Sequence, residues 1–260
     1  MPKTIKINNS TIFILPEASV FSNQIQTNWF DAEYWHRNNK IVGESIGRNT
    51  TWFIDPSNEL ADQSNGEQWV LRHYYRGGLA AKLTADRFLF THIKKTRAYR
   101  EISLLSAMKS MGLPVPAIVA ARVIRWGLFY SADLIMEKVE GSDLVTLLKE
   151  KPLSEKTWGA IGATIAQFHK NGIYHADLNT HNILIQETKT GIKNWLIDFD
   201  RCKQRNLDGT ISGHSWQKKN LARLYRSLVK EKKLDSALNF EDQKWSELLK
   251  GYNATNIDSA

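Results

Sequence analysis

The sequence holds a single cysteine, Cys202, in 260 residues. One thiol excludes an internal disulfide framework and a cysteine-rich metal site, and it fits a reducing compartment. Long apolar runs are missing as well. No stretch approaches the roughly 18 uninterrupted apolar residues of a membrane span. The early run Ile12 to Leu15 is too short for a signal-peptide core, so the expectation is a chain that stays in the cytosol. There is no internal repeat, which excludes a solenoid, and no low-complexity segment.

What is present has the composition of a soluble globular protein, 42% hydrophobic and 24% charged, and is long enough for one large core or two lobes. The net charge of +8 is unevenly spread. Between Arg72 and Lys109 there are nine basic residues (Arg72, Arg76, Lys82, Arg87, Lys94, Lys95, Arg97, Arg100, Lys109) against two acidic ones (Asp86, Glu101), a balance of +7. The rest of the chain is nearly neutral. Such a field attracts phosphate, whether on nucleic acid, an anionic lipid surface or a phosphorylated substrate; a solvated helix face is the plain alternative.

The first half reads mostly as strands. "TTWFI" (50–54) and "EQWVLRHYY" (67–75) are rich in β-branched and aromatic residues, with a polar loop at 55–66 between them. From Arg97 to Met111 the spacing of Ala98, Leu105 and Met108 predicts a helix ended by Gly112 and Pro114. Glu101 falls on that apolar face, and an acid pointed inward requires a cationic partner. Strands are expected at 121–127 and 129–141, the second leaving its apolar run at Met136 for a polar connector. Trp158, Ile161, Ile165 and Phe168 then mark a helix with Ser154 as N-cap and Gly172 after its end. Strand-like "HNILIQ" and "NWLIDFD" follow, then a buried helix marked by Leu221, Leu224, Tyr225 and Leu228, with the last ten or so residues frayed. The pattern suggests two lobes, 1–138 and 139–260, with a hinge near Glu137 to Gly141.

Between apolar flanks, "IYHADLNTHNILI" (173–185) sets an acid and two amides at the edge of the core. An Asp followed five residues later by an Asn has the spacing of the kinase catalytic loop H-x-D-x-x-x-x-N. Phosphoryl transfer needs both: the carboxylate of Asp177 to orient a hydroxyl and accept its proton, the amide oxygen of Asn182 to help hold Mg²⁺. Sixteen residues on, "LIDFD" (196–200) places Asp198 like the metal-binding Asp of D-F-G, with Asp200 replacing the glycine. His169, His175 and His181 lie six apart, which suits no helical metal site; His175 reads as a brace for the loop.

These motifs resemble the protein-kinase-like superfamily over most of the chain, which implies an α+β bilobal fold: a small strand-rich N-lobe with one main helix and a larger helical C-lobe. The resemblance implies ATP and Mg²⁺ as cofactors. It makes "GESIGRNTTWFI" (43–54) the phosphate loop, with Gly43 and Gly47 admitting phosphates. It makes Glu101 the helix acid that pairs with a strand cation, here Arg72 in "WVLR" where lysine is usual, with Arg76 and Lys82 as fallbacks. The connector at Glu137 becomes the adenine-binding hinge. The phrases "GRNTTWF", "VLRHYYRGG", "LPVPA", "HADLNTHNIL" and "LIDFDR" together look like the 3-deoxy-D-manno-octulosonic acid (Kdo) kinases of lipopolysaccharide core assembly. That resemblance implies a Kdo–lipid A precursor as acceptor, no nucleic acid, and a peripheral place on the anionic cytoplasmic face of the inner membrane. The basic block, with Phe88, Leu89, Phe90 and Ile93 interleaved, suits such a surface. "HAD" without the arginine of H-R-D, and no A-P-E after Asp198, argue against a protein kinase proper. An aminoglycoside- or choline-type kinase and a non-catalytic basic binding module are the alternatives.

Overall fold

A computed structural model of the chain describes residues 3–7, 9–14, 25–46, 50–57, 59, 67–76, 86–205 and 213–257. The chain divides into two compact units, Met1–Ser106 with Pro116–Lys138, and Ala107–Val115 with Val139–Ala260.

The first unit is built on one antiparallel sheet. Its elements are β1 (Lys3–Ile7), β2 (Ser10–Ile14), the short helix α1 (Ala32–Arg37), β3 (Ile41–Ile46), β4 (Thr50–Ile54), β5 (Trp69–His73), β6 (Phe88–Leu89), the start of α2 (Arg97–Ser110), β7 (Ile118–Trp126) and β8 (Phe129–Glu137). The sheet order is β1-β2-β7-β8-β5-β4-β3, with β6 added on β8. Its core is a tryptophan cluster: Trp29, Trp35 and Trp69 are fully buried with Ile12, Ile14, Ile54 and Ile135. The indole of Trp35 donates to the Trp29 carbonyl at 2.6 Å, so the ring is buried without leaving its N–H unpaired. One buried acid crosses the sheet. Asp133 accepts from Arg122 Nε at 2.8 Å and meets His73 Nδ1 at 2.6 Å, so both carboxylate oxygens are satisfied.

The second unit contains β9 (Ser142–Asp143), α3 (Leu144–Glu150), α4 (Glu155–Lys170), β10 (Ile173–Tyr174), β11 (Ile183–Thr188), β12 (Gly191–Leu196), β13 (Lys203–Gln204), α5 (Gly213–Leu234) and α6 (Asp242–Ile257). Ser154 caps α4 by accepting from the Thr157 amide at 3.1 Å, and Trp158, Ile161, Ile165 and Phe168 are buried along it. Helices α4 and α6 cross at glycines. A Cβ on Gly162 would sit 1.9 Å from the Leu248 carbonyl oxygen, and one on Gly251 would sit 2.1 Å from that of Gly159. Any larger residue at either position forces the helices apart.

Several expectations need correction. The strand expected over 67–75 spans only Trp69–His73, although the Tyr74 amide still donates to the Ala132 carbonyl at 3.0 Å. Within 129–141 the strand itself ends at Glu137, where the polar connector expected after Met136 begins. The chain end is not frayed where the sequence suggested: α6 continues to Ile257, since Leu248 and Tyr252 are buried and the Tyr252 hydroxyl lies 2.8 Å from His169 Nδ1. Tyr225 is half-buried rather than core, its hydroxyl donating to Asp242 at 2.8 Å.

Candidate active site

In the second unit, the loop between β10 and β11 is shaped by its own side chains. Asn179 Oδ1 accepts from the amides of His181 and Asn182 at 2.9 and 3.1 Å, closing a single 3₁₀ turn over Thr180–Asn182. The Asn182 amide nitrogen donates to the Asp177 carbonyl at 2.8 Å. That bond fixes the orientation of the Asn182 side chain, and its Oδ1 has no donor among the described residues. The Asn182 carbonyl in turn accepts from the Ile197 amide at 3.1 Å, which brings Asn182 beside the residue preceding Asp198.

His175 joins the two motifs from below. It is buried, its Nδ1 accepts from the Asp177 amide at 3.2 Å and its Nε2 lies 3.0 Å from the Ile197 carbonyl. The proton therefore sits on Nε2, and burial holds the ring's pKa below the ordinary histidine value. Phe199 packs edge-on to this ring at 5.0 Å and stacks on Phe168 at 5.9 Å. Cys202 Sγ accepts from the Ala176 amide at 3.2 Å and lies 3.9 Å from the Asp198 carbonyl oxygen. Asp198 itself has φ +61, a left-handed backbone that asparagine and aspartate tolerate better than most residues and that is common at functional turns.

Four residues of α5, not foreseen from the sequence, grip this loop in register. Asn220 donates to the His175 carbonyl at 2.7 Å and accepts from its amide at 3.3 Å. Arg223 donates to Asp177 Oδ1 from Nε at 3.1 Å and again from Nη2. Ser227 meets Thr180 Oγ1 at 3.0 Å, and Glu231 lies 3.8 Å from His181 Nε2. Positions 220, 223, 227 and 231 form one helical stripe. The sequence holds only a recurrence of polar residues at i, i+3, i+7 and i+11 beside the buried Leu221, Leu224 and Leu228, a pattern that a solvated helix face shares. Behind the stripe, buried His169 contacts Asn220 Oδ1 at 3.1 Å, and burial depresses its pKa to about 4.

In the first unit the structure brings Arg72 and Glu101 together. Arg72 Nη2 donates to Glu101 Oε1 at 2.5 Å, and the Tyr74 hydroxyl donates to Oε2 at 2.7 Å. The inward acid of α2 thus has a cation on one oxygen and a hydroxyl on the other, so neither is buried without a donor. Arg76, one fallback, lies over the Phe88 ring, and Lys82, the other, is outside the described residues. Gly43 lies on β3 opposite Phe53, where a Cβ would come within 3.2 Å of the ring. Gly47 lies outside the described residues. Glu137 ends β8 with its amide donating to the Ala117 carbonyl at 2.8 Å.

The donor chemistry suits a hard cation shared with phosphates. Among the described residues no group of three or more His, Cys, Asp or Glu forms a ready-made cage. One amide oxygen and one carboxylate from neighbouring turns are what Mg²⁺ requires when substrate phosphates and water complete its shell.

Comparison with known proteins agrees with this chemistry. Residues 32–252 match the model of the lipopolysaccharide kinase (Kdo/WaaP) family. A 3-deoxy-D-manno-octulosonic acid kinase of Actinobacillus succinogenes is 43% identical over 231 residues, 88% of this chain and 91% of that protein. Its counterparts in Haemophilus influenzae and Photobacterium profundum are 40% and 42% identical, over 90% and 87% of their lengths. Among solved structures, WaaP in complex with acyl carrier protein aligns with a TM-score of 0.56 at 15% identity, covering 94% of this chain and 88% of that one, a likeness of fold.

Proposed function

The chain belongs to the lipopolysaccharide kinase (Kdo/WaaP) family, and on that premise we propose that it transfers a phosphoryl group from ATP to a hydroxyl of the Kdo sugar on a lipid A precursor. The observation that carries the reading is the hold on Asp177. Arg223 engages Oδ1 twice, and among the described residues nothing donates to Oδ2. Oδ2 is then the atom that orients the acceptor hydroxyl and takes its proton, while Oδ1 stays fixed. Phosphoryl transfer asks little more of a protein than positioning and charge, so a rigid carboxylate is the main contribution of this loop.

Asn182 Oδ1 and Asp198 would hold Mg²⁺, which supplies charge neutralisation at the phosphates when bound. Arg72, oriented by Glu101, would contact phosphate as a planar fork rather than as a point charge. Gly43 and Gly47 would line the phosphate loop. The peptide carbonyl of Glu137, whose amide is already engaged, would meet the adenine amino group.

The acceptor's lipid portion makes peripheral attachment to the anionic cytoplasmic face of the inner membrane part of this reading. Two observations support it. Among the described residues no helix is long and apolar enough to cross a membrane, and the charge of the chain is concentrated in the block 72–109. The decisive experiment is mass spectrometry of a Kdo–lipid A precursor after incubation with protein, ATP and Mg²⁺. Gain of a single phosphate is expected. ATP hydrolysis without gain would keep the phosphotransfer and remove the acceptor.

A further inference from the structure

Of the eight large hydrophobic residues that are exposed among the described ones, five gather at one end of the first unit's sheet: Ile7, Leu89, Trp126, Leu128 and Phe129, between 40% and 68% exposed. Their closeness follows from strand register. Leu89 pairs with Phe129 across β6 and β8, and Phe129 pairs with Trp126 across β8 and β7. Directly paired residues project to the same face, so the three side chains form a row about 10 Å wide across three strands. Ile7 belongs to the same end because it pairs with Ser10 across β1 and β2, and Ser10 pairs with Ile124, two residues before Trp126, across β2 and β7.

The tip is built to present a leucine. Trp126 and Phe129 are joined by two residues, and Gly127 has φ +55, the left-handed conformation a tight hairpin needs at its first position. That places Leu128 at the extremity, where the Phe90 amide ties the turn down by donating to its carbonyl at 2.8 Å. A polar residue would serve such a turn better in water.

Cations ring the row. Arg87 lines the hollow formed with Trp126, Phe129 and Asp86. The acid of that hollow is already engaged, with Asp86 Oδ2 3.4 Å from His73 Nε2. The Arg125 guanidinium lies 4.3 Å from the Phe90 ring centre and donates to the Gly127 carbonyl at 3.0 Å. Exposed Lys6 precedes Ile7, and exposed Lys94 and Lys95 follow the Leu89 strand within six residues. Trp and Phe beside Leu and Arg on a protruding hairpin match a bilayer interface, where aromatic rings sit at headgroup depth and guanidinium groups meet lipid phosphate.

We propose that the β7–β8 tip with β6 is the element by which this protein enters an anionic phospholipid surface, Leu128 and Leu89 inserting and Arg87 and Arg125 binding headgroup phosphate. This deepens the membrane reading above, and its test needs neither ATP nor acceptor.

The test is co-sedimentation of the full chain with phosphatidylglycerol–phosphatidylethanolamine vesicles, against phosphatidylcholine vesicles. Wild type is expected to bind the anionic vesicles and release at high salt. Leu128→Asp and Leu89→Asp are each expected to weaken partitioning on the order of tenfold or more, the factor carried by one inserted leucine. Arg87→Glu with Arg125→Glu should cost a similar factor and flatten the salt dependence. Leu234→Asp, at an exposed leucine of the second unit, should change nothing. No binding by wild type, or equal loss in Leu234→Asp and Leu128→Asp, would overturn the proposal. Leu128→Asp should still phosphorylate detergent-dispersed acceptor at the wild-type rate. Absent phosphorylation by wild type that nevertheless binds vesicles would count against the kinase reading alone.

Discussion

Arg223 holds Asp177 by one oxygen only. Two guanidinium N–H groups of α5 converge on Oδ1, and both side chains remain close to half exposed. An ion pair this open contributes at most about 1 kcal/mol to stability. The placement it gives the carboxylate matters far more, since displacement of a reacting group by about 1 Å can cost on the order of 100-fold in rate. Arg223→Ala is therefore expected to lower kcat by roughly tenfold to a hundredfold, with the melting temperature nearly unchanged. Arg223→Lys should recover part of the rate, because an ammonium keeps the charge without the two-pronged hold. Steady-state kinetics beside thermal melts of the same variants separates the two effects. A wild-type rate in Arg223→Ala would remove Arg223 from the machinery.

Asp177→Ala and Asp198→Ala should both abolish phosphorylation of the Kdo–lipid A acceptor. For Asp177 the loss of a positioned base predicts about 10²–10⁴-fold. Neither variant should unfold the protein. A large drop in the apo melting temperature of Asp198→Ala would mark that residue as a structural acid.

Glu101 is a different case, because it is buried and has partners on both oxygens. Glu101→Ala takes away the carboxylate to which both Arg72 Nη2 and the Tyr74 hydroxyl donate and should cost about 3–5 kcal/mol. Tyr74→Phe removes one hydrogen bond and should cost about 1 kcal/mol. Urea denaturation of the two variants tests the ratio, and equal effects would mean that the ion pair is not the stabilising element.

The buried histidines predict acid sensitivity in a defined window. Burial, the dominant cause, lowers His169 to about 4, and His175 moves in the same direction. Between the ordinary value near 6.5 and about 4 the unfolded chain binds protons that the folded one refuses, so stability should fall as pH drops through that range. His73 has the opposite sign. The Asp133 carboxylate raises its pKa against the counter-effect of burial, so its contribution is full below the unfolded value and fades as pH rises past the folded one. His169→Gln should flatten the acid limb of a stability–pH curve while leaving the neutral limb in place. An unchanged acid limb would show that other groups govern it.

The contrast between Asn182 and Arg223 explains what was legible in the sequence. Asp177, Asn182 and Asp198 are within 22 positions, and their relation is fixed by local turns whose residues are written beside them. Glu101 was legible because an acid on an apolar helix face is an anomaly that a fold must resolve. Arg223 lies 46 residues from its partner, on a helix whose periodicity advertises its leucine face. Nothing local distinguishes a stripe that grips a loop from a solvated one. The end of α6 was misread for a related reason. Its place at the chain end suggested fraying, while Leu248 and Tyr252 anchor it through a glycine crossing that only the three-dimensional register reveals.

Cys202 gives the molecule an unplanned instrument. Its sulfur receives the Ala176 amide and borders the carbonyls of Asp198 and Asp200, so it occupies the seam between the loop of Asp177 and the turn of Asp198. As the only thiol in the sequence, it takes at most one maleimide per chain. The rate of that labelling becomes a clock for the parting of the two segments, readable in unmodified protein without engineering a reporter.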